Sequence, residues 1–133
     1  MIPPFEDNGY LPPGIHAATL DEVEARFGRE SEVRRVQVES LRWLIELATR
    51  AGVERITLNG SFVTDIIEPN DVDCALLIRA DFPADWEAAE ELSGGLPFLD
   101  LELVELPQFT ILVEQILSSD RDTEPKGVVE LIL

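Results

Sequence analysis

Directly behind Asp73 the chain reads Cys-Ala-Leu-Leu-Ile, an unbroken apolar run. A strand loses its polar alternation in this way when layers of structure cover both of its faces. DVDCALLIRA is therefore a strand inside a layered domain, and its neighbours alternate between helix and strand to match. TLDEVEARFG carries an N-cap at Thr19, a capping box completed by Glu22 and a stop at Gly28. A longer helix is expected from about Ser31 to Arg50, with Val33, Val36, Leu41, Leu44, Ile45 and Ala48 at helical spacing and Gly52 as its C-cap.

RITL is a short strand ending at Asn59-Gly60, PADWEAAEELSGG an acidic helix, and PFLDLELVEL a strand of alternating character. QFTILVEQILSSD is expected to be helical and GVVELIL a closing strand. The first 18 residues hold four prolines and two glycines, which excludes a regular helix or a central strand there. The expected fold class is α+β (mixed α/β). It would be a single domain over 1–133 with an irregular segment at 1–18 and a mixed, mostly four-stranded sheet flanked by helices.

A length of 133 residues suits one core and not two, and a 45% hydrophobic content is enough to build it. No apolar run approaches the ~20 residues of a membrane span, and MIPPFEDNGY lacks a signal-peptide pattern. The lone cysteine, Cys74, excludes an internal disulfide, fits a cytoplasmic setting and sits in the apolar run as a small core residue. Asp plus Glu number 27 against 10 Lys plus Arg, a formal net charge of −17. Such a surface repels nucleic acid and anionic membrane, so neither direct DNA binding nor membrane attachment is expected. It suits either plain solubility or attraction to a basic protein or divalent cations.

The informative stretch is LNGSFVTDIIEPNDVDCALLI, residues 58–78. Gly60-Ser61 ends one strand, nine residues (62–70) follow, and Asp71-Val72-Asp73 enters the next. This pattern resembles the nucleotidyltransferase superfamily of polymerase-beta-like fold, in particular its minimal bacterial members. PPFEDNGYLPPGIH and the ending SSDRDTEPKGVVELIL extend the likeness, over nearly the whole chain, to small bacterial nucleotidyltransferase-like proteins. These are relatives of antitoxin-type enzymes, some of which attach AMP to a toxin.

The residue chemistry agrees with that resemblance. Gly60 lets backbone amides approach phosphate, and Ser61 can hydrogen-bond a phosphate oxygen near a helix start. Asp71 and Asp73, two apart on a strand, point to one side and can hold Mg²⁺ or Mn²⁺. The simpler reading of Asp71 is a turn residue in EPND, but Asp73 inside an apolar strand is costly to bury without a cation or several donors.

The resemblance implies an NTP substrate, ATP first among them, and a third carboxylate from a neighbouring strand. Asp100 is the first choice for it and Glu102 the competitor, although alternation alone would also place acids on a solvent-facing side. The expected catalytic residues are thus Asp71, Asp73 and Asp100, with Glu102 as a further metal ligand. Antitoxin-type relatives usually carry a basic residue soon after Gly-Ser, whereas FVTDIIEPN has no Lys or Arg. Lys126, with Arg121 near it, is the alternative cation for a phosphate, and a simple turn before the last strand is the plainer reading. His16 has no triad partner and is read as packing or a local hydrogen bond. A catalytically inactive relative that binds a basic, toxin-like partner is the competing expectation.

Overall fold

A computed structural model describes residues 2–116, 119, 122 and 124–133. Helix α1 (Leu20–Phe27) starts where Thr19 Oγ1 accepts the Glu22 amide at 3.2 Å and Glu22 Oε1 accepts the Thr19 amide at 3.1 Å. Both early N–H groups of the helix are thereby satisfied. Helix α2 (Glu32–Ala51) is capped by Ser31 and closed by Gly52, whose φ of +88° suits a residue without Cβ and whose N–H reaches Ala48 O at 3.0 Å. Helix α3 (Trp86–Ser93) begins at Asp85, which accepts the Glu87 and Ala88 amides.

The strands are β1 (Ile15–Ala18), β2 (Arg55–Asn59), β3 (Val72–Leu77), β4 (Leu99–Val104) and β5 (Val128–Leu131), in the order β1-β5-β2-β3-β4. β2 runs antiparallel to β3 and β5, while the outer pairs β3–β4 and β1–β5 are parallel. The class is mixed α/β, as expected, but the sheet has five strands and not four. Ile15–Ala18, placed within the irregular segment, forms an edge strand paired only with β5. An edge strand of four residues needs little sequence signal of its own. Its partner lies more than a hundred residues away, so local pattern could not reveal it.

One face of the sheet (Ile56, Leu58, Val72, Cys74, Leu76) packs on Val23 and Phe27 of α1, Leu41 and Leu44 of α2, and Leu92 of α3. The other face is covered only in part. A short helix α4 (Gln108–Ile111), continued by a π-helical turn Leu112–Ile116, sets Phe109 and Val113 against Ala75, Leu77 and Val128. The helix expected over QFTILVEQILSSD is described to Ile116, and Leu117, Ser118 and Asp120 lie outside the described residues. The uncovered end of this second face lies at the start of β3. Asp73 is the half-buried residue of β3 at that end, whereas Cys74–Leu77 are all buried.

Helix α2 departs from the expected face. Val36 is exposed, whereas Arg34, Gln37 and Ser40 are buried. Arg34 is only 2% exposed, and a charge at that depth needs many partners. Its guanidinium donates to Phe27 O at 3.0 Å, Phe62 O at 2.8 Å, Thr64 O at 2.9 Å and Ile66 O at 3.1 Å from Nε, with a second, short bond to Ile66 O from Nη2. Gln37 Nε2 donates to Pro69 O and Asn70 O, and Ser31 Oγ to Ile67 O. The polar start of α2 thus holds the connection from β2 to β3 by its carbonyls.

Candidate functional site

β2 ends in Asn59, and the chain then turns through a single 3₁₀ turn, Gly60–Val63. Gly60 has a φ of +78°, a conformation that costs other residues strain. The space its side chain would take is occupied: a Cβ there would overlap Asp73 Oδ2 and stand 3.1 Å from Asp73 Cγ. Backbone shape therefore favours glycine at 60, and a side chain there would have to displace the Asp73 carboxylate.

Asp73 is the centre of the site. Across the antiparallel pair its register partner is Asn59, and across the parallel pair it is Asp100. Residues opposite one another in register project to the same face, so Asn59, Asp73 and Asp100 form one row over three adjacent strands. With Cys74, Ala75 and Glu102 they line a cavity of about 240 Å³. A larger cavity of about 380 Å³ lies at the far end of β3, around Glu54, Arg79 and Glu105. There Arg79 is already paired with Glu54 at 3.2 Å, so it offers a ligand less unspent polarity.

Burial raises the Asp73 carboxyl above the usual aspartate range; Asp100 adds to the rise, Lys126 opposes it, and Asp71 contributes least. The half-buried Asp73 carboxylate faces the exposed Asp100 across the strand pair. A group in that state favours a proton or a cation.

The other expected residues divide clearly. Asp100 and Glu102 are exposed on the cavity side of β4, with Leu99, Leu101 and Leu103 alternating toward the core. Asp71 is exposed just before β3. Ser61 is half-buried and absent from the cavity wall; its carbonyl accepts the Thr64 amide at 3.2 Å and the Thr64 hydroxyl at 2.6 Å. The helix start expected at Ser61 is only that one 3₁₀ turn, too short to act as a helix dipole. Lys126 is half-buried, 6.0 Å from the Tyr10 ring centroid and near enough for Asp73 to feel its charge. Arg121 lies outside the described residues. His16 Nε2 stands 2.7 Å from Pro12 O, the local hydrogen bond expected of it. Cys74 is buried, and burial pushes its thiol well above the usual range.

Sequence reasoning missed Asn59. It is 1% exposed; Nδ2 donates to Thr57 O at 3.2 Å, and Oδ1 has no partner among the described residues. A polar residue closing an apolar strand immediately before Gly60 was the available signal.

The donors in the row are hard oxygens, which suit Mg²⁺ or Mn²⁺. Among the described residues, no group of three or more His, Cys, Asp and Glu side chains converges in a way that could hold a metal ion. The carboxylates match the chemistry of a divalent cation, then, without forming a closed carboxylate cage.

A mixed five-stranded sheet with an acidic cavity over β2, β3 and β4 defines a mixed α/β protein. The chain belongs to the family of unknown function DUF6932, which matches residues 3–132. No curated protein and no solved structure matches it. No described helix is long and apolar enough to cross a membrane.

Proposed function

We propose that the chain is a cytoplasmic, Mg²⁺-dependent nucleotidyltransferase-like protein of the antitoxin type, which transfers a nucleotide from an NTP, ATP first, to a protein or RNA acceptor. One observation carries this reading: Asp73 and Asp100 stand in register on neighbouring strands, with the Asp73 carboxylate against Gly60. A divalent cation bound there would neutralise triphosphate charge and orient a phosphoryl group for in-line attack.

The chain's own contributions follow from position. Asp73 and Asp100 hold the cation, with Asp71 and Glu102 at the margins of the site. Gly60 keeps the turn free of a side chain, so that its backbone can approach phosphate. Lys126 brings positive charge toward Asp73 from the start of β5 and takes the role usually given to a basic loop residue. Arg34 cannot fill that role, because its donors are spent on the carbonyls of Phe27, Phe62, Thr64 and Ile66.

The net charge of −17 favours a second reading, in which an inactive relative neutralises a basic, toxin-like partner by binding alone. Incubation with α-labelled NTPs, Mg²⁺ and cell extract separates the two. Transfer predicts a labelled protein or RNA band that disappears with Asp73→Asn. A basic partner captured equally by both versions, with no label on anything, supports binding alone.

A further inference from the structure

We infer that Asn59 is a ligand of the divalent cation, its carboxamide oxygen completing with Asp73 and Asp100 a row of three oxygen donors across β2, β3 and β4. The inference rests on the cation site of the proposed function, and extends it to a residue that carries no charge.

Asn59 Oδ1 is a buried acceptor without a donor among the described residues, and such an atom is costly unless something fills it. The orientation of the amide is set from the other end, where Nδ2 is committed to Thr57 O. Asn59 itself belongs to the cavity wall shared with Asp73, Asp100 and Glu102. Neighbouring strands lie about 4.8 Å apart, so donors at one register level on three strands can bend toward a common point above the middle one. That middle residue is Asp73.

The charge count also fits. Two carboxylates match a dication, and a neutral third oxygen adds coordination without further repulsion. This explains how a cation site can exist where, among the described residues, no three carboxylates converge. The competing role for Asn59 Oδ1 is to accept a proton held by Asp73, which would require no metal.

Mn²⁺ alone serves as the probe, titrated into the full chain and followed by loss of the free-ion electron paramagnetic resonance signal. Wild type is expected to take up Mn²⁺ saturably, and Asn59→Leu to bind on the order of tenfold more weakly with its circular dichroism unchanged. Asn59→Asp, which keeps the oxygen, should bind at least as tightly as wild type. If Asn59→Leu does not fold, Asn59→Ser, which withdraws the oxygen, carries the same expectation. Wild-type affinity in Asn59→Leu or Asn59→Ser, with binding lost in Asp73→Asn, would overturn the role of Asn59 and leave the carboxylate site standing. No uptake by wild type at millimolar Mn²⁺ would overturn both.

Discussion

Asp73 and Asp100 sit opposite one another on the parallel strands β3 and β4, and Asp73 is half-buried there. Like charges directly opposed across a sheet weaken it by roughly 0.2–1 kcal/mol. Asp100→Asn should therefore stabilise the metal-free protein by about that amount, seen as a higher urea midpoint with an unchanged slope. Mg²⁺ should raise the melting temperature of wild type and not of Asp73→Asn, because it binds only the folded site.

The pH dependence follows from the raised Asp73 carboxyl. The native state holds this proton more tightly than the unfolded chain, so wild type loses stability as pH rises from the ordinary aspartate range through the raised native value. Asp73→Asn lacks that loss. Its advantage over wild type should be absent in strong acid, grow through this window and then level off. Paired urea titrations at several pH values check it; a constant advantage at every pH would mean that Asp73 titrates normally.

Gly60→Ala is expected to destabilise by about 1–2 kcal/mol from its left-handed backbone alone, with a further cost from overlap with Asp73. Removing the obstructing carboxylate in Asp73→Ala should recover only the second part. A double-mutant cycle on urea midpoints should give a coupling of about 0.5 kcal/mol or more. Strict additivity would show that the two residues do not meet.

Arg34→Met should cost at least about 3 kcal/mol, since several buried carbonyls lose their donors at once. Arg34→Lys should recover only part, because a point ammonium cannot reproduce the guanidinium fork. Hydrogen exchange should quicken first in the connection between Gly60 and Asp71, which Arg34 holds through Phe62, Thr64 and Ile66.

These residues mark the limit of what the sequence could disclose. Strands β2 to β5 were legible because each has an apolar run or a clean alternation, and the caps at Thr19 and Gly52 were legible from local residue chemistry. Gly60, Asp73 and Asp100 could be selected because glycine and acids are conspicuous beside apolar strands. Arg34 was not legible, since its carbonyl partners lie up to 32 residues along the chain and helical period favoured Val36 for the buried face. Asn59 offered only its place at the end of an apolar strand, and its significance depends on register with Asp73 and on an unfilled acceptor. β1 depends on pairing with β5, which only the tertiary fold supplies.

Lys126→Gln should leave folding nearly untouched and weaken Mg²⁺-nucleotide binding by about 1.5–3 kcal/mol, the contribution of one charge-assisted hydrogen bond. The loss should shrink as salt is added. Equal affinity for wild type and variant at low salt would remove Lys126 from the site.

Calorimetric titration of ATP, GTP, CTP and UTP, each with Mg²⁺, into wild type and Asp73→Asn tests the proposed activity most directly. The expected result is saturable heat with at least one nucleotide, abolished by chelation of Mg²⁺ and absent in Asp73→Asn. No heat with any of them at millimolar concentration, or the same isotherm for both proteins, would contradict a metal-dependent nucleotide site at Asp73.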